Sequence, residues 1–106
     1  MTTEQIIGEM VERIVALAHP ERIILFGSRS RGNPEPDSDV DLLVVMDSEG
    51  ERKKEATVAL GSAVADLALP KDIVVATPQE IATRGRLRST VLYAALHEGR
   101  VLYARR

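Results

Sequence analysis

A chain of 106 residues with 44% hydrophobic and 28% charged residues is sized for one domain, residues 1–106, built round a single core. One Phe, two Tyr and no Trp make that core aliphatic, and a net charge of −2 offers no basic field, so nucleic acid is disfavoured as the main partner. The absence of Cys excludes disulfides, thiolate nucleophiles and Cys-type zinc sites; with a polar N-terminus and the longest apolar runs, such as Leu42 to Met46, far too short to span a bilayer, no signal peptide and no membrane span are expected, and the expected location is the cytoplasm.

Thr2-Thr3-Glu4-Gln5 has capping-box spacing, and Ile6, Ile7, Met10, Val11, Ile14, Val15 and Ala18 recur behind it at helical intervals. This first helix is expected to stop at His19-Pro20. Arg22 to Phe26 reads as a short strand. Gly27 to Ser38 is irregular, punctuated by Gly32-Asn33-Pro34 and Pro36-Asp37, and Asp39 to Met46 reads as a second strand. Ser48-Glu49-Gly50-Glu51 is another capping box, followed by a helix face of Ala56, Ala59, Leu60, Ala63, Val64, Leu67 and Ala68 that Pro70 ends. Asp72 to Ala76 is a third strand, and Thr77-Pro78-Gln79-Glu80 caps a helical turn with Pro at its first position. Leu87, Val91, Ala94 and Ala95 define a last helix, which Gly99 closes before a strand at Val101 to Tyr103. The expected architecture is an α/β sheet layer covered by helices.

Two segments carry chemistry. Gly27 ends a strand and a helical turn can begin at Ser28, where unpaired backbone N–H groups suit phosphate oxygens and glycine lets the backbone come close. The alternative is a polar turn with two arginines. Asp39 and Asp41 lie two apart on a strand, on one face and roughly 7 Å from each other. Leu43 and Val45 continue that face as apolar, while Val40, Leu42 and Val44 fill the other. Paired ionised carboxylates at the start of a buried strand repel and lose hydration, and a divalent cation removes both penalties. Magnesium suits one or two carboxylates together with phosphate oxygens. The alternative places both aspartates at an exposed strand mouth, solvated and idle. A Walker A loop is excluded because Asn33-Pro34 replaces the required Lys-Ser/Thr. An EF-hand beginning at Asp37 is excluded by Leu42 in place of Gly and by Ser48 in place of the bidentate Glu.

Gly27-Ser28, a spacer, then Asp39-x-Asp41 and apolar residues resemble the DNA-polymerase-β-like nucleotidyltransferase superfamily. The fuller string, Gly27-Ser28-Arg29-Ser30-Arg31-Gly32 and Ser38-Asp39-Val40-Asp41-Leu42, is similar to its minimal members, the small MNT domains found as antitoxins beside HEPN-domain toxins. The motif covers Gly27 to Val45; the length and element order of nearly the whole chain agree with it. The resemblance implies an α/β (α+β) nucleotidyltransferase fold, with a small mixed sheet flanked by helices and its first three strands in spatial order. It implies Gly27-Ser28 on the triphosphate of ATP and three carboxylates on two magnesium ions. The first two are Asp39 and Asp41. The third belongs on the next strand, where Asp72 is the matching position, able to bind one metal and to take a proton from the attacking hydroxyl. The alternatives for Asp72 are a pair with Lys71 or plain solvation, and Asp66 competes but sits in a helical pattern. The resemblance also implies transfer of AMP from ATP to a tyrosine of the toxin, which silences its RNase.

Other polar residues are weaker candidates. Arg29 and Arg31 flank the phosphate turn and are assigned to nucleotide binding, while Arg84, Arg86 and Arg88 read as a solvated face, with contact to ATP phosphates or an acidic partner as the alternative. His19 and His97 fall in last helical turns, with no partner at metal-ligand spacing. Tyr93 and Tyr103 lie in apolar patterns as core or interface anchors. The expected function is therefore magnesium-dependent nucleotidyl transfer from ATP to a protein, a HEPN-type toxin. A protein acceptor is favoured because the chain has no added domain to hold an antibiotic or polynucleotide. Two other functions stay open: an antitoxin that neutralises by contact alone, and a small-molecule nucleotidyltransferase. A homo- or hetero-oligomer also stays open.

Overall fold

A computed structural model describes residues 1–30, 38–47, 51–85, 87 and 90–105. Helix α1 (Thr3–Ala18) begins where expected: the Thr2 hydroxyl accepts from the Gln5 N–H at 3.1 Å, and the Thr2 N–H donates to Gln5 Oε1 at 2.8 Å. It ends at His19, which takes the left-handed conformation with φ 47° and donates its N–H to the Val15 carbonyl. Strand β1 (Arg22–Phe26) leads into a single 3-10 turn at Ser28–Ser30. Strand β2 (Val40–Val45), helix α2 (Glu51–Val64) and strand β3 (Lys71–Ala76) follow, then helices α3 (Pro78–Arg84) and α4 (Val91–Glu98) and strand β4 (Arg100–Ala104).

The four strands form one mixed sheet in the order β3-β2-β1-β4. β1 is antiparallel to both β2 and β4, whereas β2 and β3 are parallel through the α2 crossover. The first three strands are thus spatial neighbours in sequence order. Helices cover both faces. Met10, Ile14, Leu60 and Val64 from α1 and α2 pack on Ile23, Leu25, Leu42 and Val44, and Leu92 and Ala95 of α4 pack on Ile24, Leu43, Val45 and Ala76. Burying each such Leu, Ile or Val contributes about 1.5–3 kcal/mol; this double core is aliphatic, with Tyr103 and Phe26 packed only at its margins. Among the described residues no helix is long and apolar enough to cross a membrane.

Three details depart from the sequence pattern, and a fourth expectation falls on residues not described. Asp39 lies one residue before β2, not in it. α2 stops at Val64, six residues before Pro70, with Leu67 closing a turn onto the Val64 carbonyl. The capping box at Ser48 to Gly50 lies outside the described residues. The last helix starts at Val91, leaving Leu87 outside it and 56% exposed, and its buried side chains are Leu92 and Ala95. Thr90 is the reason: its hydroxyl accepts from the Tyr93 N–H and donates to the Leu87 carbonyl, so the helix is capped there and the spacing from Leu87 runs across the cap.

Candidate active site

The topology brings three strand ends together. β1 runs toward one end of the sheet, antiparallel β2 starts there, and parallel β3 starts beside it. Phe26 is level with Asp41, and Asp41 is level with Asp72. Adjacent strands lie about 4.8 Å apart, and laterally paired residues share a face, so Asp41 and Asp72 stand side by side on the face that carries Leu43 and Val74. That face is covered by α4 further along the strands, and the aspartates occupy its open end. Asp72 and Asp39 are exposed, and Asp41 is half-buried.

The turn meets the carboxylates directly. Gly27 has φ 75°, a left-handed conformation that glycine adopts without strain. A side chain there would collide with Asp41 Oδ2, so the Gly27 backbone and the Asp41 carboxylate are in close contact. Ser30 ties the turn together, its N–H and hydroxyl both donating to the Gly27 carbonyl at 3.2 and 2.8 Å. Arg29 spans from the turn to the segment before Asp39: its Nε donates to the Ser38 carbonyl at 2.9 Å. No sequence period marks this contact, because it joins a side chain to a backbone carbonyl nine positions away. Arg31, Arg86 and Arg88 lie outside the described residues.

Burial, then the neighbouring charges of Asp72 and Asp39, raise the Asp41 carboxyl above its ordinary range. Asp41 thus feels both other aspartates, and among the described residues none of the three has an ion-pair partner. Lys71 donates to the Leu67 carbonyl at 2.8 Å instead of pairing with Asp72. Asp66 is withdrawn from the site by Arg13, whose Nη1 donates to it at 2.6 Å and holds its carboxyl below the usual range. Neither histidine joins the cluster: the His19 carbonyl accepts from Arg105, and His97 bonds the Tyr93 carbonyl through Nδ1 and stacks on the Tyr93 ring.

Among the described residues no three His, Cys, Asp or Glu side chains close round a point that a metal could fill. Magnesium does not require such a cage, since it takes one or two carboxylates and completes its shell with phosphate oxygens and water. A half-buried carboxylate made more basic by burial and by two neighbouring carboxylates, beside a glycine turn, has the donor chemistry for that ion. The arrangement can hold a hard cation and a phosphate together at one sheet end.

Comparisons with known proteins bear on the family and the fold. No curated protein sequence matches the chain significantly. Among solved structures it is similar to a toxin-antitoxin with AMP-PNP, at 25% identity and TM-score 0.57 over 99% of this chain and 76% of that one. It is also similar to a double mutant of the toxin-antitoxin MntA-HpeT, at 21% identity and TM-score 0.53 over 100% of this chain and 76% of that one; this second likeness bears on the fold. The nucleotidyltransferase domain model matches residues 4–101, from α1 into β4 and through every strand end at the site. The chain belongs to the nucleotidyltransferase domain family.

Proposed function

We propose that the chain transfers AMP from ATP to a hydroxyl of a protein partner, a HEPN-type toxin, and thereby acts as its antitoxin in the cytoplasm. The observation that carries this reading is the row of Asp39, Asp41 and Asp72, without ion-pair partners among the described residues and with Asp41 repelled by both others, against the Gly27–Ser30 turn. Idle aspartates would not need to crowd where they disfavour the Asp41 charge. Support for both the partner and the nucleotide comes from the similar toxin-antitoxin structure with AMP-PNP.

In this reading Gly27 and Ser28 present backbone N–H groups and a hydroxyl to the triphosphate, with Arg31 as a further phosphate contact. Two magnesium ions on Asp39, Asp41 and Asp72 would neutralise phosphate charge and ease ionisation of the attacking hydroxyl. Asp72, exposed and laterally adjacent to Asp41, takes the hydroxyl proton as general base. The acceptor oxygen bonds to the α-phosphorus, the α–β phosphoanhydride bond breaks, and pyrophosphate leaves with the electron pair.

The test is intact-mass spectrometry of the partner after co-expression. Wild type should add the mass of AMP to it, and Asp72→Asn should not, with toxicity returning. A partner neutralised equally well by Asp72→Asn and by Asp39→Asn/Asp41→Asn would replace this reading with neutralisation by contact.

A further inference from the structure

Asp39 is the least anchored of the three carboxylates. It is exposed and precedes the first residue of β2, so the sheet holds it from one side only, through the Val40 N–H donating to the Pro70 carbonyl at 2.8 Å. On its other side the chain is held at Ser38, whose carbonyl accepts from Arg29 Nε at 2.9 Å. The Arg29 end of this bridge is itself fixed, because Ser30 closes the turn onto Gly27 with two hydrogen bonds and Gly27 lies against the Asp41 carboxylate. Turn and carboxylate segment are thus joined at two points, Gly27 to Asp41 and Arg29 to Ser38, with Asp39 between them.

We infer that Arg29 is a positioning residue for Asp39: it acts through the Ser38 carbonyl to set that carboxylate beside Asp41. This departs from the expectation that Arg29 contacts nucleotide, and it rests on the reading of Asp39 and Asp41 as metal ligands. The chemistry of the side chain distinguishes the two roles. A phosphate contact needs positive charge at the end of a long side chain, which lysine keeps. The bridge to Ser38 uses Nε, a planar donor set back from the tip, which lysine lacks.

The experiment uses Mn²⁺ and AMP-PNP as probes on Arg29→Met and Arg29→Lys. Mn²⁺ affinity is followed by electron paramagnetic resonance at saturating AMP-PNP, and AMP-PNP affinity by calorimetry at saturating Mn²⁺. Supporting groups behind a metal ligand typically change metal affinity by roughly 10–100-fold, and a loss in that range is expected in both variants, with AMP-PNP affinity held within about twofold. The inference is overturned if Arg29→Met weakens AMP-PNP while Mn²⁺ affinity stays at wild type and Arg29→Lys restores the nucleotide, because Arg29 would then be a phosphate ligand. Melting curves establish that the variants fold; should Arg29→Met not fold, Arg29→Lys and Arg29→Gln carry the same comparison. Absence of Mn²⁺ binding in wild type with AMP-PNP would instead refute the carboxylate site itself, and the two failures are told apart by the wild-type titration alone.

Discussion

Replacing Asp41 by Asn should make the metal-free protein more stable at pH 8. Asp41 stands level with Asp72 on the neighbouring strand, next to Asp39, and half-buried. Two unit charges about 5 Å apart at an effective dielectric constant near 20 repel by about 3 kcal/mol. Asp72 is exposed to water, and screening reduces the expected gain on removing one charge to about 1 kcal/mol. For a domain of this size that corresponds to a melting temperature higher by about 4–8 °C. The sign with pH follows from the raised Asp41 carboxyl. Below its ordinary value of 3.8 it is protonated in folded and unfolded chains alike, and no penalty exists. As pH rises through the raised folded value, the folded state loses the proton and the penalty develops in full. The difference in melting temperature between variant and wild type, measured in EDTA, should therefore be large at pH 8 and shrink toward pH 4. A variant that melts at or below wild type at pH 8 would show that Asp41 is held by compensating structural contacts, and the repulsion argument would fail.

Gly27→Ala should lose folding stability by more than about 1 kcal/mol, because alanine is strained at positive φ. It should also lose nucleotide binding, since its Cβ displaces the Asp41 carboxylate; a thermal melt and calorimetry on one preparation check both. Ser28→Ala, which removes one hydroxyl contact, should weaken ATP binding by about 1 kcal/mol and leave the fold intact. Asp66→Asn should leave label transfer at wild type, because Asp66 pairs with Arg13 away from the aspartate row; a slowing of transfer comparable to that of Asp72→Asn would reverse the choice between them. Asp72→Asn should still bind ATP but transfer label ~10²–10⁴-fold more slowly, the usual effect of losing a general base.

The site was legible in the sequence where its chemistry conflicts with its surroundings. Asp41 interrupts a strand whose other residues are buried on both faces, and that conflict alone marks it. Asp72 is different: a charged residue at a strand start is common, and only its register against Asp41 places it beside that residue. The bond from Arg29 to the Ser38 carbonyl was not legible, since charge beside a phosphate-type turn suggests a ligand contact and a side-chain bond to a backbone carbonyl nine positions away has no sequence signature. The last helix was misplaced because Leu87 continues its period, and the Thr90 cap that interrupts it depends on backbone geometry. Strand order followed from the resemblance for β1 to β3, but nothing in the chain's local pattern indicates that β4 pairs with β1 at the sheet edge.

The most direct test of the central claim, that Asp39 and Asp41 hold magnesium against a triphosphate lying on the Gly27–Ser28 turn, is calorimetry of ATP with and without magnesium, on wild type and on Asp39→Asn/Asp41→Asn. The account predicts binding that requires magnesium and disappears in the double variant, which should still fold. ATP affinity that is unchanged by magnesium removal, or unchanged by the double substitution, would contradict it.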